Sequence, residues 1–327
     1  MQKKLTIIDA DSIIYNVAYR FKKSKASKML EMSVNKFISD ILINTKADVY
    51  LGFYGSKEPN AKPNFRFDVY EKYKGTRPET PDFVVKWRPI IHKLFKEKWG
   101  FIPVDAMEAD DAVAICHEYY LDTYAITVAT ADKDLRQLRN ITFYDFNKHK
   151  AENIDTLQAI KNISKQLLMG DTSDNIPGLP GIGKVTAQKM VDECNSAFSL
   201  IRMVISEYIE REAILKEKEG IKLTKIIKAD ILENEENSAS EYYKLSTARI
   251  DRKIRISLAS KLDVYINTIM PGGWKQYYIQ QRALLLMLTK PTEDFSVPNV
   301  LDSPLADLNA VVMPVTKQEN INAFLTI

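Results

Sequence analysis

Carboxylates are the residues of this chain whose types and spacing point most directly to chemistry. Five short segments carry them: IIDAD (Asp9, Asp11), FRFDVY (Asp68), MEADDAV (Glu108, Asp110, Asp111), TADKDL (Asp132, Asp134) and GDTSDN (Asp171, Asp174). Each segment alone has a plain structural reading, because acids suit the first turn of a helix, where the macrodipole is positive. MEADDAV, for instance, precedes Val113 and Ile115 as a helix start would. As a set they read differently, because like charges gathered at one place repel unless cations neutralise them. Oxygen donors without His or Cys suit Mg²⁺ or Mn²⁺, and the three histidines (His92, His117, His149) are too scattered for a zinc site. Two such ions, roughly 3.5–4 Å apart, can clamp the attacking and leaving oxygens of a phosphodiester displacement. No Cys/His or Ser/His nucleophile system presents itself, so water activated by metal is the expected attacking group.

A second feature is GDTSDNIPGLPGIGKVTAQKM, residues 170–190, where Gly178, Gly183 and Lys184 fall at the spacing of a nucleotide-binding P-loop. That loop needs Ser or Thr directly after the lysine and a strand before the first glycine. Here Val185 follows Lys184, and IPGLP breaks the chain instead of extending it. The stretch reads better as a tight turn at Gly181 and Gly183 opening a helix near Thr186. Its backbone N–H groups, with Lys184, would face the phosphates of a duplex without reading bases.

The third feature is basic and aromatic. Residues 57–98 hold eleven Lys or Arg against six Asp or Glu, so the segment is locally cationic. Residues 83–98 have helical spacing and read as an amphipathic helix with a solvated basic face. In KPNFRFDVYEKYKGTR, residues 62–77, basic and aromatic residues alternate without a core-facing period, as in segments that track a phosphate backbone and stack bases. Lys74 and Arg77 flank Gly75 and are the expected phosphate contacts.

The elements that must position these groups alternate. Leu5–Ile8, Val49–Phe53, 102–104, 124–129 and 141–143 read as strands, with helical periods over Val34–Ile43 and Phe83–Phe95, the latter kinked at Pro89. Strands alternating with helices predict an α/β fold with a mostly parallel, doubly wound sheet, whose sites lie off the carboxyl ends of the strands. Asp9, Asp132 and Asp134 fall at such ends. From Ile154 the pattern turns helical, and after Lys290 four prolines and weak periodicity predict an irregular tail. The expected division is an α/β core over 1–150, a helical part over 151–290 and a tail over 291–327.

Composition agrees with a globular chain that meets nucleic acid. Among 327 residues the 46 basic and 43 acidic side chains give a net charge of +3. If eight acids serve bound cations, 46 basic residues face 35 others, a balance of +11 that suits a polyanionic partner. Two cysteines without C-x-x-C spacing fit a reducing compartment. The N-terminus is too short in apolar residues for a signal peptide, and no window reaches membrane-spanning length. A soluble, cytoplasmic protein with no membrane partner is expected.

In this order the segments resemble the 5′-nuclease superfamily. That group comprises bacteriophage flap endonucleases, RNase H-type 5′ exonucleases and the amino-terminal 5′-nuclease domain of bacterial DNA polymerase I. The resemblance runs from about Lys4 to Cys194 and is carried by IIDADS, YKGTRPETPDF, MEADDAV, TADKDLRQL and GDTSDNIPGLPGIGKVTA. It implies a PIN-like core with helices on both faces of the sheet and a helical arch at about 57–98. It also implies a helix–three-turn–helix (helix-hairpin-helix) element at 171–194. By the same resemblance Asp9, Glu108, Asp110, Asp111 and Asp132 hold a first metal, and Asp134, Asp171 and Asp174 a second. Lys74 and Arg77 polarise the scissile phosphate, Tyr73 stacks on a terminal base, and the glycine turn carries K⁺. The implied activity is Mg²⁺-dependent 5′–3′ exonuclease or flap endonuclease cleavage, with Mn²⁺ able to substitute, by a monomer acting in replication or recombination. The implied substrates are duplex DNA with a 5′ flap, nick, gap or end, and RNA–DNA hybrid.

The family usually has a further Asp just after its second strand. Here LGFYGSKEPN places Gly55 near that point, and Asp11 or Asp68 are the acids available to compensate. The alternative is a catalytically impaired, structure-specific DNA-binding protein of the same fold. No polymerase segment accompanies the nuclease motifs, which suggests a phage-encoded protein working in the host cytoplasm. The tail VVMPVTKQENINAFLTI ends in apolar residues suited to packing on its own domain or, less favoured, to docking on a sliding clamp or single-strand-binding protein.

Overall fold

The computed structural model describes residues 2–24, 26–56, 61–236, 247–290, 292, 297–298 and 300–302. The chain forms two compact units, one of Met1–Ile163, Thr172–Ile176 and the described residues from Leu286 onward, the other of Ser164–Asp171 and Pro177–Leu285.

The first unit is built on a sheet of β1 (Lys4–Asp9), β2 (Val49–Gly55), β3 (Ile102–Val104), β4 (Ala125–Thr130), β5 (Ile141–Asp145) and β6 (Lys150–Ile154), in the order β3-β2-β1-β4-β5-β6. All neighbours are parallel except β6, which runs antiparallel to β5. The five parallel strands were legible as apolar runs. KAENI of β6 was not, since four of its five residues face solvent on an edge strand.

The pleat sends alternate residues to opposite faces. Leu5, Ile7, Leu51, Phe53, Val128 and Phe143 pack with α5 (Ala109–Tyr120) in one core. Ile8, Tyr50, Tyr54, Ala129 and Tyr144 pack on the other face with α1 (Asp11–Arg20), α2 (Ser27–Thr45) and α4 (Asp82–Trp99). α4 runs unbroken through Pro89 and buries Val84, Trp87, Ile91, Phe95 and Trp99. Residues 83–98 therefore form a core helix with a solvated basic face. Between β2 and α4 lies a single helical turn, α3 (Arg66–Val69).

The tail expected to be irregular begins otherwise. The Tyr120 hydroxyl donates to Pro298 O at 2.6 Å, and a short strand at Leu301–Asp302 pairs antiparallel with β2. Residues 303–327, including the apolar end, lie outside the described residues.

The second unit is helical. It takes the end of α6 (Thr156–Met169), then α7 (Lys184–Asp192), α8 (Ala197–Glu236), α9 (Thr247–Ile269) and α10 (Gly273–Leu285). Buried Tyr208 donates to Leu167 O at 2.6 Å, and Tyr277 to Pro177 O at 3.1 Å, so two phenols clasp the turn between α6 and α7. Gly178 has a steric reason: a Cβ there would lie 2.2 Å from the Met169 carbonyl carbon. Since the obstruction is backbone, Gly178→Ala is expected to destabilise the second unit by about 1–3 kcal/mol, read as a lower denaturant midpoint for that unit's transition.

Candidate active site of the first unit

The carboxyl ends of β1, β2 and β4 open into a cavity of about 720 Å³. Its lining includes Asp9, Asp11, Glu108, Asp110, Asp132, Asp134 and Asp174, together with Lys74 and Arg77. Residues more than 160 positions apart in sequence thus share one enclosure, because parallel strands deliver their ends to the same side.

Each acid is held differently. Asp9 ends β1 and accepts from Thr130 Oγ1 at 2.7 Å, Ser12 Oγ at 3.0 Å and the Asp11 N–H at 3.2 Å. Burial, followed by the Asp11 and Asp132 charges, nevertheless pushes its carboxyl up to about 7. Asp132 caps a 3-10 helix over Lys133–Gln137 by accepting from Asp134 N–H at 2.9 Å, while its own N–H donates to Thr130 Oγ1 at 2.8 Å. Glu108 caps α5 in a reciprocal box with Asp111, so the helix-start reading of MEADDAV is also true. Asp110 is held well above the carboxylate range by burial and by Asp111 and Glu108, with Arg66 opposing. Its Oδ1 is buried without a hydrogen-bond partner.

The basic residues arrive on a loop stitched to the Asp174 turn. Lys74 adopts a left-handed backbone (φ 55°), and its N–H donates to Asp174 O at 2.8 Å. Asn175 Nδ2 donates to Lys72 O at 2.8 Å. The Lys74 ammonium pairs with Glu108 and lies 3.9 Å from Asp174, and the exposed Arg77 guanidinium pairs with Asp174. These two cations neutralise the acids they face.

Three expectations need correction. Asp111 does not line the cavity: its carboxylate is fully buried and bidentate with Arg66 at 2.6 and 2.8 Å. It also accepts from the N–H groups of Glu108 and Leu288 at 3.1 and 2.9 Å, which consumes its acceptor capacity. Tyr73 is only 2% exposed, its phenol donating to Asp174 at 3.0 Å and reaching Glu108 at 3.2 Å, so it cannot stack on a base. Nor does the alternation of residues 62–77 present a nucleic-acid face throughout, because Arg66 and Tyr73 point inward. Asp68 is exposed and away from the cavity lining. Asp171 is buried in the second unit, where Gly181 (φ 81°), Gly183 and exposed Lys184 form the turn into α7.

Sequence reasoning missed Arg66, Ser12 and Thr130. Arg66 sits in FRFDVY, where attention fell on the acid. The hydroxyls had a signal: Ser12 is three residues after Asp9 and Thr130 two before Asp132, spacings typical of side chain–backbone turns.

Two family models match, the 5′-3′ exonuclease N-terminal resolvase-like domain over residues 4–164 and the 5′-3′ exonuclease C-terminal SAM fold over residues 158–265. The chain therefore belongs to the 5′-3′ exonuclease family. It is 27% identical to DNA polymerase I of Bacillus subtilis over 62% of this chain and 25% of that protein. It is 32% identical to DNA polymerase I of Rhizobium leguminosarum over 46% of this chain and 16% of the relative. The chain thus spans about a quarter or less of the length of these relatives. A solved structure of T5 5′-exonuclease with divalent zinc ions bound shares the fold, at 16% identity and a TM-score of 0.50, covering 87% of this chain and 99% of that one.

The charge balance of the site can be measured in two ways. Arg66→Ala leaves Asp111 buried and unpaired, and is expected to cost about 3–5 kcal/mol of stability in urea unfolding. The raised Asp9 carboxyl makes the folded state bind more protons than the unfolded chain between pH 3.8 and about 7. Without added metal, stability should therefore fall as pH rises across that window. Asp9→Asn removes this contribution, so its thermal midpoint at pH 8 should exceed wild type by on the order of 3 °C or more, with the gap closing near pH 4.

Proposed function

We propose that the chain is a structure-selective 5′ nuclease, a 5′–3′ exonuclease and flap endonuclease that hydrolyses phosphodiesters with divalent cations in the carboxylate cavity. The observation that carries this is the gathering of Asp9, Glu108, Asp110, Asp132, Asp134 and Asp174 with Lys74 and Arg77 around one enclosure. Its donor chemistry suits a hard cation: the ligands are oxygens, and a buried Asp110 oxygen lacks any hydrogen-bond partner. Asp9, Glu108, Asp110 and Asp132 would hold a first Mg²⁺, and Asp134 and Asp174 a second, Mn²⁺ substituting for either. Bound there, the cations would supply a nucleophile active at neutral pH and charge stabilisation for an in-line displacement.

The chain's own groups do the rest. Ser12 and Thr130 orient Asp9, and the backbone of the 3-10 helix orients Asp132. Lys74 and Arg77, which here pair with Glu108 and Asp174, would be the groups able to grip the scissile phosphate. In the second unit the turn at Gly181 and Gly183, with Lys184, offers backbone donors and one charge to a duplex, independent of base sequence and weakened by salt. K⁺ at that turn belongs to the same reading.

The substrates on this reading are duplex DNA with a 5′ flap, nick, gap or end, and RNA–DNA hybrid, met by a monomer in replication or recombination. No helix among the described residues is long and apolar enough to cross a membrane. A cytoplasmic site of action, in a host cell for a phage-encoded protein, and a clamp or single-strand-binding partner for the C-terminal tail complete the proposal.

A second reading, a DNA-binding protein with an impaired centre, draws on one observation. Among the described residues no three His, Cys, Asp or Glu side chains converge closely enough to form a ready metal cage. Cleavage of a 5′-flapped duplex separates the two. Mg²⁺-dependent cleavage that stops on chelation is expected, and Asp132→Asn or Asp110→Asn should slow it about a hundredfold or more. Duplex affinity of either variant should stay within about threefold, since the phosphate contacts remain. Wild-type protein that binds the duplex tightly without cutting it would select the second reading.

A further inference from the structure

Asp11 opens α1 and lines the same cavity as Asp9, Asp110 and Asp132. Its carboxylate is held from across the sheet: Gly55 N–H, at the end of β2, donates to Asp11 Oδ1 at 3.0 Å. A Cβ built on Gly55 would lie 3.1 Å from Asp11 Oδ2. The glycine at the end of β2 thus leaves open the space that the Asp11 carboxylate fills. Asp11 N–H in turn donates to Asp9 Oδ1 at 3.2 Å, so the two acids are fastened to one another by backbone.

A carboxylate brought this close to Asp9 raises the electrostatic cost of the empty site and contributes nothing to core packing. A first-turn acid placed only for the helix dipole would be as effective facing solvent, and would not need a neighbouring strand to give up its side chain. Asp68, the other acid open to this role, is exposed and absent from the cavity lining.

We infer that Asp11 is a cation-holding residue of this centre, supplying from the first turn of α1 the carboxylate that a side chain on β2 at position 55 could otherwise supply. Gly55 is its positioning partner, through an N–H donor and an absent side chain. The inference rests on the nuclease reading above. It predicts that acid and glycine are exchangeable between positions 11 and 55.

Mn²⁺ binding to the full chain, followed by the free-ion electron paramagnetic resonance signal, tests this apart from activity. Asp11→Asn keeps an oxygen acceptor for Gly55 N–H and should fold with an unchanged or higher thermal midpoint. It should nevertheless lose about tenfold or more in Mn²⁺ affinity. Asp11→Ser should lose as much, and Asp11→Ser combined with Gly55→Asp should recover to within about threefold of wild type. Gly55→Asp alone, with two carboxylates crowded together, should show a lowered metal-free thermal midpoint. Wild-type affinity in Asp11→Asn, alongside loss in Asp132→Asn, overturns the role of Asp11 and leaves the nuclease reading intact. A folded double variant as weak as Asp11→Ser overturns the shared position. Absence of Mn²⁺ binding by the wild type defeats the nuclease reading and this inference together.

Discussion

Repulsion among carboxylates is the constraint around which the first unit is arranged. Eight acids line one cavity at the carboxyl ends of parallel strands, and a fold that merely tolerated them would spread them apart. Four of them are instead given a specific way to be held. Asp9 takes two hydroxyls and a backbone N–H, Asp132 caps a 3-10 helix, Glu108 caps α5, and Asp174 meets a guanidinium and a phenol. Even so, Asp9 and Asp110 are held well above the ordinary carboxylate range, the remainder of charge density that the protein alone leaves uncompensated. Such a centre is costly to form, and a hard cation held there, as proposed, would relieve the repulsion.

The buried Arg66–Asp111 pair shows the same economy in a structural role. A charge taken out of water is expensive, and here four donors meet the two carboxylate oxygens, from Arg66, Glu108 and Leu288. Arg66 also donates to Leu286 O at 3.1 Å, so the pair ties the turn before α4, the start of α5 and the returning chain into one point. A motif of adjacent acids is thereby divided: Asp110 faces the cavity, and Asp111, one residue on, serves as the anchor of the wall behind it. Successive helical residues point about 100° apart, which lets Asp110 face the cavity while Asp111 turns into the wall.

Much of the fold was legible because it rests on local rules. Short apolar runs at Leu5–Ile8 and Val49–Phe53 are buried on both faces, which only strands of a covered parallel sheet require. The helical period of residues 83–95 is that of a core-facing stripe. What escaped was whatever lacked an apolar signal: β6 is an exposed edge, and the return of the chain after α10 is held by backbone bonds to Tyr120, Gln137 and Asp111 from a proline-rich stretch. The site was legible in its acids and in Lys74 and Arg77, since a charge at the end of a buried strand is costly to keep unless an opposite charge or a cation meets it.

By itself, then, the sequence determined the residue types of the centre, the order of strands that carry them and the family to which the chain belongs. Tertiary structure alone decided their roles. Tyr73 and Arg66, outward-facing in any reading of alternating basic and aromatic residues, are buried beneath the carboxylates. Asp111 is withdrawn, and Asp11 stands where a glycine on a neighbouring strand makes room. The physical reason is that composition and spacing specify which groups are present, whereas charge compensation depends on distances between residues tens to hundreds of positions apart. Those distances exist only once the sheet has closed and its strand ends lie side by side.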